Sequence, residues 1–282
     1  MSAGAPGLRM GLRTVVRACA VVLAAGWLSA AQAAPVDDLS KALRLQELAM
    51  LMRDEGIADA RDIIPTGPSG RPPQAAVAEI ETLFDPDRFR TELQAALAAS
   101  MSTEELAEAA AFFDSADGAA LVELELVARS AIADPEVEAI ARSEWAARQG
   151  DDDPEIRLLE QFAEVNGLVE RNTTTTMTAR YHFLLGVAEG AGRSVDEGHV
   201  LSEVWADEAR IRTETEAWLM GYLLLAYGPA GERALQAYVD FSATAAGQAV
   251  NAALFDGFET AYGRISRGLG LVAGRASMAQ DL

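Results

Sequence analysis

Cysteine occurs once in this chain, at Cys19, histidine twice, at His182 and His199, and lysine once, at Lys41. Each scarcity closes a class of chemistry. Cys19 falls inside an N-terminal stretch expected to be removed, which leaves neither disulfides nor a thiolate nucleophile. The two histidines are seventeen positions apart with no His-Glu-x-x-His or His-x-x-x-His pairing, so a zinc site would need carboxylates recruited from distant segments. With Lys41 as the lone lysine there is no Gly-Lys-Ser/Thr phosphate cradle. Gly268-Leu269-Gly270 with Gly274 matches a dinucleotide loop in glycine count alone; it follows a helical pattern, and close packing or fraying near the C-terminus explains it better. Ser69, in Gly67-Pro68-Ser69-Gly70, has proline before it and no strand leading in, unlike a nucleophile elbow. The expectation is a non-enzyme with no cofactor and no metal.

Basic residues are also few: 23 Lys and Arg against 43 Asp and Glu give a net charge of −20. Such a surface repels nucleic acid and anionic lipid, which bind through cationic neutralisation of phosphate. Half of the residues are nevertheless hydrophobic, as in a folded rather than a disordered protein. Long apolar runs are missing too. The longest beyond the N-terminus runs from Trp218 to Tyr227, ten residues against the roughly 20 that span a bilayer.

The N-terminus carries an address. Arg9, Arg13 and Arg17 precede an apolar core ending near Leu28, and Ala31-Gln32-Ala33 supplies a small-x-small cleavage pattern. Residues 1–33 are read as a secretory signal peptide, and the remainder as a periplasmic protein with no stable transmembrane anchor.

Alternating β-branched runs are nearly absent, whereas helix signals are everywhere. Asp85-Pro86, Asp134-Pro135 and Asp153-Pro154 pair an N-cap acid with proline at the first helical position. Ser102-Thr103-Glu104-Glu105 and Ser194-Val195-Asp196-Glu197 have the spacing of capping boxes. A long loop is expected from Pro65 to Pro73. The fold class is therefore all-α, with essentially no β-sheet. The polar step Gln149-Gly150-Asp151-Asp152-Asp153 divides a first helical half, 34–150, from a second, 151–282.

The halves carry similar strings. Leu106, Phe112, Ser115, Gly118 and Leu121 fall on Leu235, Phe241, Thr244, Gly247 and Val250 at one constant offset, as do Phe89 and Leu93 on Trp218 and Tyr222. A different offset places Leu48, Leu51, Gly56 and Ile57 on Leu159, Phe162, Gly167 and Leu168. Internal duplication into two helical bundles is the expectation. Phe112, Ser115, Gly118 and their counterparts Phe241, Thr244, Gly247 read as a packing device within one helix. There glycine admits a close backbone, and the hydroxyl returns to a carbonyl one turn earlier.

The segment Glu104-Glu105-Leu106, continuing through Phe112-Phe113-Asp114-Ser115-Ala116-Asp117-Gly118, resembles the bacterial exported family known as domain of unknown function 2059. Tyr238-Val239-Asp240-Phe241 through Thr244-Ala245-Ala246-Gly247 resembles it more loosely, with threonine in place of serine. The resemblance implies an all-helical protein of the cell envelope and transfers no catalytic residue.

Three further features bear on function. Trp205, Trp218, Tyr222 and Tyr227, with the leucines around them, make a helix apolar on nearly all sides. Such a helix belongs in the centre of a bundle or lines a groove for an apolar ligand or partner. Thr173 to Thr176 are poor helix formers and suggest a bend or a polar seam between helices. Paired carboxylates are too abundant to mark a site. The reading favours a protein that binds an envelope protein partner. The alternatives are a carrier of a lipid tail or other apolar ligand near Trp218–Tyr227, and a hydrolase with dispersed carboxylates.

Overall fold

The structure, a computed structural model, describes residues 30–61, 63 and 73–280. The expected signal segment lies outside the described residues up to position 29, as does the loop expected at 65–73 apart from Pro73.

The described residues form helices and no strand. In chain order these are α1 (Ala30–Ala42), α2 (Leu45–Arg61), α3 (Gln74–Leu83), α4 (Pro86–Ser100), α5 (Thr103–Phe113), α6 (Ala116–Ile132) and α7 (Pro135–Arg148). After the acidic step come α8 (Pro154–Val165), α9 (Leu168–Gly190), α10 (Glu197–Ala206), α11 (Glu208–Tyr227), a short 3-10 turn (Gly228–Ala230), α12 (Glu232–Ser242) and α13 (Ala245–Gln280). None of these helices is long and apolar enough to cross a membrane.

Local chemistry sets most of the starts. Asp85, Asp134 and Asp153 accept the backbone N–H of Arg88, Glu136 and Glu155, each with proline next in line. Ser102 and Glu105 close a full capping box. The second expected box does not form. Asp196, not Ser194, caps α10 by accepting the His199 N–H, because it stands directly before the first helical residue and is an equally good acceptor.

The Phe-Ser-Gly motif is not one helix either. The chain leaves α5 at Asp114, and Ser115 becomes the N-cap of α6, accepting the N–H of Gly118 at 3.1 Å. The serine hydroxyl thus serves the helix that follows, not a carbonyl behind it. Thr244 repeats this for α13 by accepting the Gly247 N–H at 3.0 Å. Asp114 and Ala243, the residues before the two caps, share φ −80 and ψ −11. A Cβ on Gly118 would stand 2.1 Å from the Phe112 carbonyl oxygen, and one on Gly247 would stand 2.0 Å from that of Phe241. Both glycines therefore sit at tight corners, where the incoming helix end leaves no room for a side chain. The other paired glycines are not equivalent. Gly56 lies inside α2 against the Phe84 ring, whereas Gly167 breaks the chain between α8 and α9 at φ +60.

Packing exchanges helices across the acidic step. α13 lies on α4, while α6 and α7 lie on α11, so the last helices of each half cover a middle helix of the other. Two large hydrophobic cores result among the described residues, and both draw on both sides of the step. One combines Leu39, Leu93 and Leu106 with Phe241 and Ile265; the other combines Leu121 and Trp145 with Leu159, Trp218 and Leu235. Helix α13, about 54 Å long at the usual rise per residue, runs beside α9. Gly186 and Gly190 meet the backbone of Arg267 and Leu271, and Gly270 and Gly274 meet that of Phe183 and Val187. Those contacts advance together along both chains, so α9 and α13 cross in parallel at near-backbone distance. Close packing is what the C-terminal glycines provide. Arg264 fastens the other side of α13, with both Glu92 carboxylate oxygens and the Leu83 carbonyl as acceptors.

Candidate functional site

Helix α6 places Gly118, Val122, Glu125, Arg129 and Ile132 on one stripe, at spacings of three or four. A core-facing helix normally keeps that stripe apolar, and here it carries an acid and a base. Arg129 is used structurally. Its Nε and Nη2 donate to the Glu55 carboxylate on α2 at 2.9–3.1 Å, and the two side chains are only 12% and 11% exposed.

Glu125 is held by tyrosines. The Tyr227 hydroxyl on α11 and the Tyr238 hydroxyl on α12 both donate to its Oε1, at 2.5 and 3.1 Å. Tyr222 donates to its backbone carbonyl at 3.2 Å. No cationic side chain pairs with it among the described residues. Glu125 keeps some accessible surface even though protein encloses it, because it forms part of a cavity wall.

The cavity has a volume of about 220 Å³. Its walls come from α5, α6, α8, α9, α11, α12 and α13, with Leu43 at one edge. It exceeds the roughly 150 Å³ that admits benzene and falls below the roughly 300 Å³ at which drug-sized pockets begin. A molecule of about one ring fits; a whole acyl chain does not. The wall is aromatic and amide-rich. Trp218 stacks on Tyr222 with centroids 5.4 Å apart, and Phe162 meets Tyr227 and Tyr238 at 5.3 and 4.5 Å. Asn166, Asn172 and Asn251 also line it, each donating its amide to a backbone carbonyl, of Phe162, Leu168 and Asn166 respectively. Trp218 is 5% exposed, and its indole N–H reaches no protein acceptor.

The residues singled out from sequence divide accordingly. Trp218, Tyr222 and Tyr227 all line the cavity, whereas Trp205 sits on the separate helix α10 and is 61% exposed. Phe241 and Gly247 also line it, and the Phe112 ring stacks on Phe241 at 4.0 Å. Ser115 and Thr244 are caps, and Gly118 is buried at its corner. Thr173 and Thr176 are buried in α9 with Thr175, and the Thr173 hydroxyl returns to the Val169 carbonyl. Sequence reasoning missed Glu55, Glu125, Arg129, Tyr238 and the three asparagines. The available signal was the pair of charges on the α6 stripe, hidden by the general surplus of acids.

Other parts of the molecule offer less. A broad depression of about 690 Å³ between α7, α8, α9 and α11 is lined by Glu160, Glu164, Glu170 and Glu216, and its Arg212 pairs with Glu170 and Glu208. Among the described residues no group of three or more His, Cys, Asp or Glu could hold a metal. His182 packs beside Gly263; burial, and then the charge of Arg267, hold its pKa below the ordinary histidine value.

Burial pushes the Glu125 carboxyl above the ordinary glutamate value, with the Tyr227 and Tyr238 hydroxyls pulling the other way. The folded chain therefore holds this proton more tightly than the unfolded chain does. Stability falls as pH rises past the ordinary glutamate value, and the loss is complete once the raised value is passed. Glu125→Gln cannot ionise. Its stability relative to the parent should rise as the pH is raised above the ordinary glutamate value of about 4, read from urea midpoints; a constant difference would contradict the assignment.

The chain has no match among curated proteins or solved structures. A family model does match residues 87–143, the span from α4 into α7 that contains the first corner, Glu125 and Arg129. Its description is "Uncharacterized protein conserved in bacteria (DUF2059)", and this segment belongs to that family.

Proposed function

We propose that this chain is a non-catalytic binding protein whose ligand is a small molecule held in the Glu125 cavity. The observation that carries the reading is the open volume against Trp218, Tyr222 and Tyr227 inside an otherwise close-packed helical fold. Convergent polar groups on an aromatic wall are the usual make-up of a ligand site. A hydrolase would need two carboxylates free to face one bond, and in this cluster Glu55 is committed to Arg129. The N-terminal pattern ending at Ala33 supports a periplasmic address for the mature chain. We also read the two corners as copies of one duplicated unit; their matched caps and glycine contacts support this.

Ligand-detected NMR with benzene and indole tests the cavity. The protein should bind both, and Val250→Phe, which adds a ring at a cavity-lining position, should abolish binding without lowering the melting temperature. Absence of binding by the parent protein, or binding that survives in a folded Val250→Phe protein, would contradict the reading. A partner surface is the second reading. It rests on α10, where Leu201 and Trp205 stand one turn apart and are 48% and 61% exposed.

A further inference from the structure

We propose that the occupant is a small organic cation, an ammonium group on an apolar body of about one ring, with the Glu125 carboxylate as its counter-charge. This rests on the cavity reading above and specifies its ligand.

Charge balance is the first argument. The cluster contains two carboxylates, Glu55 and Glu125, and one guanidinium, Arg129. Arg129 spends its fork on Glu55, and no other cation pairs with Glu125 among the described residues. The other nearby arginine, Arg171, lies over the Phe255 ring at 5.3 Å with Asp256 in its field. A largely buried carboxylate without a cationic partner is costly, and one positive charge in the cavity would compensate it.

Hydrogen-bond balance is the second. Most donors of the wall are already engaged: three tyrosine hydroxyls on Glu125, Arg129 on Glu55, and one N–H of each asparagine amide on a backbone carbonyl. The groups left over are mainly acceptors, the carboxylate and the amide oxygens, beside the Trp218 N–H and the Ser242 hydroxyl. Acceptors in excess suit a ligand that donates, as an ammonium does with up to three N–H groups.

The aromatic wall is the third. Trp218, Tyr222, Tyr227 and Phe162 surround the space with π-systems, which attract cations most strongly where water is excluded. A net charge of −20 would also concentrate cations around the protein. An anionic ligand meets the opposite conditions at each step, since the guanidinium that could receive it is held by Glu55.

Calorimetric titration of the mature protein with three probes of similar size tests this. They are 2-phenylethylammonium, neutral 2-phenylethanol and anionic 3-phenylpropionate. The ammonium should bind at least about tenfold more tightly than the alcohol, and the carboxylate most weakly. Glu125→Gln should erase the preference for the ammonium over the alcohol, a loss of about tenfold or more in that ratio. Equal binding of ammonium and alcohol, tightest binding of the carboxylate, or a preference that survives in Glu125→Gln would overturn the inference and leave the cavity reading standing. If none of the three binds, both fall.

Discussion

Replacing Gly118 with alanine should destabilise the protein by about 1–3 kcal/mol, and with leucine by more. The cause is backbone against backbone. A Cβ would stand 2.1 Å from the Phe112 carbonyl oxygen and 2.8 Å from the Phe113 Cα, and neither atom can rotate away as a side-chain tip could. Relief would require opening the α5–α6 corner. That would pull the Phe112 ring off Phe241, now 4.0 Å away, and shift the α6 stripe that carries Glu125 and Arg129. Gly247→Ala should cost a similar amount, because its contact with the Phe241 carbonyl is equally short. Gly198, exposed near the start of α10, meets nothing closer than 3.4 Å and serves as the control. Chemical denaturation of the three alanine variants checks the ordering. Gly118→Ala as stable as Gly198→Ala would mean the corner is not tight.

The second large effect is expected at Glu55. Truncation to alanine removes the carboxylate paired with a mostly buried guanidinium and should cost about 3–5 kcal/mol, the usual consequence of breaking a buried ion pair. The pair also ties α2 to α6, so the loss should loosen the wall that carries Glu125. A two-step comparison separates charge from packing. Replacing Arg129 with methionine in the Glu55→Ala background removes the buried positive charge and should recover much of the loss, because apolar replacements of a buried pair are often neutral. If the double variant is as unstable as the single, packing and not charge is what the pair supplies. Denaturation midpoints for the parent and both variants decide between these.

How far the sequence could be read follows from the range of each interaction. Asp85, Ser102, Asp134 and Asp153 were legible because a cap is a contract between residues two or three apart. The helical class followed from the same local rules. Three of the four aromatic positions of the greasy segment reach the cavity because a helix apolar all round has to sit centrally. Trp205 was misplaced with them, since the break at Asp207 that gives α10 its own direction carries no proline or glycine. The motif glycines were recognised as close-packed, yet the corner was not foreseen; Ser115 suits a cap and a helix interior alike until the backbone is seen. Glu125 and Arg129 were invisible for another reason. Their meaning depends on Glu55, Tyr227 and Tyr238, which lie 70 to 113 positions away, and in a chain with 43 acids one more glutamate raises no alarm.

A single crystallographic soak bears most directly on the claim that this fold keeps a binding space at its centre. After exposure to indole, ordered density should appear between Glu125, Trp218 and Tyr222, with the surrounding helices unmoved. A Trp218 or Leu254 side chain occupying that space in the soaked crystal, with indole bound elsewhere or not at all, would contradict it.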